Sequence, residues 1–325
     1  MRRRDFITGL LLTTAVPSSQ AQQPRKVHRI GFLWLGAPGT DDTPRQGLVQ
    51  GLRALGYVEG ENLIIEYRYA GERPERLPEL AAELVRLNVD LIRTPGTLAT
   101  RAAQQATRII PIVTTAADLV SNGFVASLAR PGGNVTGVSL SSGPEIAGKR
   151  LQILKEVRPD MQWVGYLWER DNPGSATDLT YLEQISRDFH VSVKAISVSR
   201  SEEIESAFAV LEKAGVGGLI LDTSPLITGR SSAVISLAEH YRMPTISGRP
   251  EYVTAGGLMA YGVYLPDVLR RTASYVDRIL KGAKPGDLPV EQPTRFELII
   301  NLKAARTLGV NIPPPLLATA DQVTD

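Results

Sequence analysis

The sequence predicts an α/β protein: two doubly wound parallel-sheet lobes joined by a multi-crossing hinge, with a ligand cleft between them. Three observations carry this. The run IGFLW at Ile30–Trp34 returns as VGYLW at Val164–Trp168, 134 residues later. The same alternation of strands and helices follows each copy, spanning 81 residues from Ile30 to Pro111 and 80 from Val164 to Pro244. Both runs are continuously apolar, as strands of a parallel sheet covered on both faces must be. Strands alternating with helices make right-handed crossovers that lay helices on the sheet faces.

The elements follow in order. After the first run, Thr43 and Pro44 form an N-cap and first-turn pair, Leu48, Leu52 and Leu55 share one helical face, and Gly56 stops the helix. Strand NLIIEY (62–67), a helix carrying Leu77, Leu80, Leu84 and Leu87, strand DLIRT (90–94), a helix from Thr97 and strand IPIVTT (110–115) complete the first unit. RPGGNVTG (130–137) reads as a helix stop followed by a strand. In the second unit a helix carries Leu182, Ile185 and Phe189, and a strand spans 191–198. SRSE (199–202) has the form of a capping box before Ile204, Phe208 and Leu211. GLILDT (218–223), a helix over about 229–240 and MPTIS (243–247) close it. The remainder holds a strand at 257–262, a helix at 267–281, strand FELIIN (296–301) and a short helix before Pro313-Pro314-Pro315. That is too little for a third core, so these segments recross between the lobes and cap them.

The N-terminus reads as an export signal: a basic start, an apolar run from Phe6 to Val16, and Ser19-Gln20-Ala21 as a cleavage site that leaves Gln22 first. Arg3-Arg4-Asp5-Phe6-Ile7 resembles a twin-arginine signal, with an ordinary secretory signal or an anchor helix as alternatives. The apolar run is short against the roughly 20 residues that a span requires. The chain has no cysteine, which excludes disulfides, thiolate metal sites, a cysteine nucleophile and a lipid anchor on cysteine. Of 36 basic and 34 acidic residues, Arg2, Arg3, Arg4 and Asp5 belong to the signal, so the mature chain is charge-balanced and gives no support to nucleic-acid binding. His28, His190 and His240 are too scattered for a metal site or a Ser/His/Asp triad. RPGGNVTG lacks the phosphate-loop and dinucleotide spacings, and no G-x-S-x-G elbow is present. No catalytic residue, metal or cofactor is assigned.

QGLRALGYVEGENLIIEYRYA (50–70), FVASLARPGGNVTGVS (124–139), GKRLQILKEVRP (148–159), AGGLMAYG (255–262), residues 275–309 and PPPLLATADQV (313–323) resemble a known family. It is the bacterial ABC-transporter substrate-binding proteins of the tryptophan/tyrosine type, with a type I periplasmic-binding fold. The resemblance implies ligand contacts on loops at the strand ends. Thr94, Gly96 and Thr97 lie where members resemble T-G-T before a helix, here with Pro95 added, and the helix start suits a carboxylate, with Thr97 alternatively an N-cap. Asp118 matches an aspartate that accepts a ligand ammonium, or else caps the region of Phe124. Asn172 matches a family Asn-Pro that is also a plain turn signal. Ser224 departs from the usual Asp-Pro, with Asp222 two residues earlier. Glu251 matches a glutamate near the hinge, and Arg249 beside it is a candidate carboxylate clamp. Trp34 and Trp168 end the two repeated strands, where an aromatic ring can stack on a ligand or pack in the core.

The resemblance implies a soluble periplasmic receptor without a lipid anchor. Acting as a monomer, it closes its lobes on a small amphipathic carboxylate-bearing solute, an amino acid or organic acid, and presents it to an ABC permease and ATPase. The alternatives are a ligand sensor for a membrane signalling partner and an exported α/β enzyme. The expected division is 1–21 as signal peptide, 27–140 plus 264–292 as lobe 1, and 141–263 plus 293–325 as lobe 2.

Overall fold

The computed structural model describes residues 27–38, 43–71, 73–140, 143 and 145–325, so the expected signal segment lies outside the described residues. The first sheet holds β1 (His28–Trp34), β2 (Leu63–Tyr69), β3 (Leu91–Pro95), β4 (Ile112–Ala116) and β5 (Val135–Ser139), all parallel, in the order β2-β1-β3-β4-β5. Its helices are α1 (Thr43–Ala54), α2 (Leu77–Arg86) and α3 (Thr97–Ala106). Every residue of β3, β4 and β5 is buried, so these strands show no alternation of buried and exposed faces. One face packs Leu77, Leu80, Leu84, Ala99 and Ala103 of α2 and α3, and the other packs Leu48 and Leu52 of α1.

The second lobe begins with α4 (Glu145–Val157). Its sheet then takes β6 (Trp163–Glu169), β7 (Ser192–Val198), β8 (Gly218–Leu221), β9 (Thr245–Ser247) and β10 (Met259–Val263), interleaved with α5 (Pro173–Ile185), α6 (Glu203–Lys213), α7 (Pro225–Thr228), α8 (Ser231–His240) and α9 (Pro250–Thr254). The order β7-β6-β8-β9-β10 repeats that of the first sheet strand for strand, so the duplicated sequence produces a duplicated topology. Each sheet changes winding direction beside its first strand, and ligands of open α/β sheets bind beyond the carboxyl ends there.

The chain connects the two sheets three times: from Ser139 to Glu145, from Val263 into α10 (Leu265–Leu280), and from Glu291 back to β11 (Phe296–Asn301). Helix α10 returns to the first lobe and lies on α1. A Cβ added at Gly47 would come within 2.3 Å of the Leu269 side chain, and one at Gly51 within 2.6 Å of Ala273, so the two glycines permit this close approach. The later two crossings are joined, since Tyr264 N–H donates to the Arg295 carbonyl at 3.1 Å and the Arg295 guanidinium lies 4.0 Å from the Tyr264 ring centroid. After the third crossing come β11, α11 (Leu302–Leu308), α12 (Pro314–Thr319) and β12 (Gln322–Thr324). Here the all-parallel expectation fails, because β11 runs antiparallel to β10. The chain re-enters from the hinge, at the carboxyl edge, and can only run down the sheet. Among the described residues, no helix is long and apolar enough to cross a membrane.

Other local expectations change as well. No helix precedes RPGGNVTG: residues 119–123 form turns, with Gly123 at φ +69° and Phe124 N–H donating to the Leu119 carbonyl at 2.9 Å. The helix expected over 229–240 begins at Ser231 after the separate short α7. In the capping box, the carboxylate that reaches back to Ser199 N–H is Glu203, at 2.9 Å, one residue beyond the one the pattern named.

Candidate functional site

At the carboxyl edge of the first sheet, Thr94 is fully buried and its hydroxyl is committed to a threonine cluster, 2.9 Å from Thr100 Oγ1, which lies 2.6 Å from Thr114 Oγ1. The N-cap of α3 is Gly96, at φ +96° and ψ +156°, a conformation essentially confined to glycine, and no side chain caps the helix. Thr97 is therefore the first helical residue and not the cap. It is half-buried, and its hydroxyl takes no partner among the described residues. Asp118 fulfils its capping alternative on a turn instead of a helix: Oδ1 accepts from Val120 N–H and Ser121 N–H at 3.1 Å each, and Oδ2 accepts from Ser121 Oγ at 2.6 Å. Burial alone would raise this carboxyl, but those hydrogen bonds outweigh it and hold Asp118 below the usual carboxylate range. Trp34 is half-buried, edge-on to Phe32 and Tyr69, and packs against the core beneath.

At the second edge, Asn172 caps α5, its side chain accepting from Gly174 N–H at 3.1 Å. Trp168 stacks on Tyr166, with centroids 6.5 Å apart. Asp222 is 4% exposed and ties three segments together, accepting from Ser175 Oγ at 2.7 Å, Thr223 N–H at 2.6 Å and Glu169 N–H at 3.2 Å. Arg249 and Glu251 do meet, at 2.6 Å, so the proposed clamp already holds an internal carboxylate. Five atoms on this edge are buried without a partner: Ser224 Oγ, Thr228 Oγ1, Arg249 Nε, Glu251 Oε2 and Glu169 Oε2. Buried polar atoms are almost always paired, with protein or with ordered water, so this concentration makes the second edge the candidate site. Among the described residues, no hydrogen bond or ion pair joins a candidate of one lobe to a candidate of the other.

Sequence reasoning missed Glu169, Arg93, Arg150, Asp178, and the exposed Leu98 and Val120 at the rim of the first sheet. Arg150 stands among the polar positions of an amphipathic helix, yet it is buried and donates from Nε to the Tyr261 carbonyl at 2.9 Å. Burial lowers its pKa, while Asp178 and Asp222 act in the opposite sense. Asp178 is pushed up to about 6 by burial, with Arg150 opposing and Asp222 reinforcing. The only available signal was a charge inside an otherwise apolar run, as at Arg93 in LIRTP.

Comparison with known proteins bears on this arrangement. A family model described as ABC transporter substrate binding protein matches residues 34–324. The chain is 27% identical over 289 residues to the Tyrosine-binding protein of Clostridioides difficile (strain R20291), covering 88% of this chain and 82% of that one. Among solved structures, it is similar to an ABC domain in complex with L-Trp from Streptococcus pneumoniae, with TM-score 0.83, 26% identity, and coverage of 92% and 100%. It is also similar to the ligand-free, open structure of a substrate binding protein with adhesive properties from Clostridium difficile, with TM-score 0.74, 25% identity, and coverage of 92% and 99%.

Proposed function

The chain belongs to the ABC transporter substrate binding protein family, and on that premise we propose that it is a periplasmic receptor which closes its two lobes on a small amphipathic, carboxylate-bearing solute and delivers it to a permease and ATPase. The ligand class in this reading is an amino acid, aromatic ones included, or a related organic acid. The observation that carries it is the set of unpartnered polar atoms at the second carboxyl edge, hydroxyl and guanidinium donors (Ser224 Oγ, Thr228 Oγ1, Arg249 Nε) and carboxylate oxygens (Glu169 Oε2, Glu251 Oε2). Each costs about 1–3 kcal/mol while unpaired, and the ammonium of an amino acid would pair with the two carboxylate oxygens while the neutral end of the solute meets the donors. The carboxylate is assigned to the α3 start at Thr97 and the ammonium to Glu251 and Glu169. The exposed Leu98 and Val120 offer apolar surface to the rest of the solute.

The tyrosine-binding relative and the L-Trp complex support this ligand class. The duplicated lobes and the three chain crossings between them support lobe closure as the operating motion. Residues 27–140 with 264–292, and 141–263 with 293–325, are the bodies assigned to that motion. A thermal-shift panel of amino acids, aromatic acids and sugars tests the reading, because a ligand at 100 times its dissociation constant adds about 2.7 kcal/mol. Midpoint shifts from sugars alone would defeat the carboxylate assignment.

A further inference from the structure

The third crossing changes lobes within a few residues. Up to Glu291 it is bound to the first lobe: the Leu288 carbonyl accepts from Thr136 Oγ1 at 2.7 Å, and Val290 N–H donates to the Leu128 carbonyl at 2.7 Å. Glu291 lies in parallel register with Val138 of β5, its N–H donating to the Gly137 carbonyl at 3.1 Å and its carbonyl accepting from Ser139 N–H at 2.9 Å. Tyr275 of α10 donates its hydroxyl to the Pro289 carbonyl beside it. From Phe296 the chain pairs with Val263 of β10 and belongs to the second lobe. Residues 292–295 span the change.

One side chain of α10 reaches into this span. The Arg271 guanidinium donates from Nη1 to Glu291 Oε2 at 2.9 Å and from Nη2 to Thr294 Oγ1 at 2.9 Å, while Nε donates to Asp267 Oδ2 at 2.8 Å. All three nitrogens are used, so the planar fork holds residues 291 and 294 at fixed positions on the first turns of α10. The second crossing enters the same turns, with Tyr264 as the residue before Leu265. Beyond the fork, Arg295 is bonded to Tyr264. Two adjacent residues, Tyr264 and Arg295, are thus left between the clamped end in the first lobe and the β10–β11 ladder in the second. Arg271 is 30% exposed and Glu291 41% exposed, and ion pairs so open to water add little stability. A three-way fork at such a place acts on geometry.

We propose that Arg271 is a positioning residue for lobe closure: by holding Glu291 and Thr294 on α10 it confines the bending of the second and third crossings to Tyr264 and Arg295, so the lobes move along one path. This rests on the closing receptor described above and deepens it by naming what guides the motion. Hinge motion is absorbed by a few residues at element ends, and here the fork decides which ones.

The cysteine-free chain takes spin labels without background. Glu75→Cys and Glu205→Cys, exposed positions on the first and second lobes, carry the pair, and electron–electron resonance reads the interlobe distances of the ligand-free protein. Arg271→Gln broadens the distribution, Thr294→Val broadens it less, and Arg271→Lys restores part of the parent width. Arg306→Gln, which breaks the exposed pair to Asp325, leaves it unchanged. An unchanged distribution in both Arg271→Gln and Thr294→Val overturns the proposal, and a lower melting midpoint without broadening does so too, by making the fork an ordinary stabilising contact. If Arg271→Gln does not fold, Thr294→Val alone decides. Calorimetric titration with L-tryptophan separates this from the receptor reading: Arg271→Gln binds about 2- to 30-fold more weakly than wild type, whereas a wild type that binds no acid overturns the ligand class and leaves the ligand-free distances to decide Arg271.

Discussion

Gly96→Ala isolates the backbone strain at the start of α3. The glycine sits at φ +96° and ψ +156°, and a Cβ built there meets no heavy atom within 4 Å. No steric clash contributes, so the whole cost is conformational, of order 1–3 kcal/mol for a residue held in a glycine-only region. The chain can escape only by rotating the loop, which breaks the 2.7 Å bond from Gly96 N–H to the Thr115 carbonyl and turns the first-turn N–H groups away from the site. Urea unfolding followed by tryptophan fluorescence should show the midpoint falling with an unchanged slope. Titration with a bound acid should show weaker affinity for whatever population survives by loop rotation. Gly133→Ala is the control: its added Cβ also meets nothing within 4 Å, and its φ lies outside the left-handed range, so its effect should stay within about 0.5 kcal/mol. Equal effects at Gly96 and Gly133 would refute the strain argument.

Asp222→Ala leaves Ser175 Oγ and Glu169 N–H without their acceptor and should destabilise by about 2–4 kcal/mol in the same unfolding assay; a loss under about 1 kcal/mol would show that water replaces the carboxylate freely. Asp178 is raised to about 6 against an ordinary value near 4, so the folded state holds its proton over that interval and loses stability as pH rises through it. Asp178→Asn should remove this contribution and unfold at higher denaturant than wild type at pH 7, and a lower midpoint would contradict the burial argument. Export through the twin-arginine route predicts a mature N-terminus at Gln22 and retention of the Arg3→Lys, Arg4→Lys double variant in the cytoplasm, both read by N-terminal sequencing of periplasmic fractions.

Repetition made the fold legible. IGFLW and VGYLW fixed two starting strands, and the spacing that follows each was enough to place the remaining strands of both units. Direction was harder to read: FELIIN has the composition of any central strand, and its reversal follows from the side on which the hinge returns the chain, a fact held by α10 and not by the strand itself. QVT at β12 is too short and exposed to carry a pattern. Of the site, the loops were legible and the assignments were not. Thr94, Asp118 and Asn172 have the right chemistry at the right edge, but their polar atoms are partly or wholly used to hold the loops in shape. What distinguishes Ser224, Glu251 and Glu169 is a partner that is missing, and a missing partner leaves no mark in a linear sequence. The same holds for Arg93, whose neighbours across the sheet come from β1 and β4, 20 residues or more away in the chain.

Small-angle X-ray scattering of the mature chain, titrated with the tightest-binding acid from the panel, tests lobe closure most directly. A solute that touches both lobes has higher affinity for the closed form and draws the population toward it. The radius of gyration should fall on saturation. An unchanged radius at saturating ligand would contradict closure and leave the cleft without its proposed role.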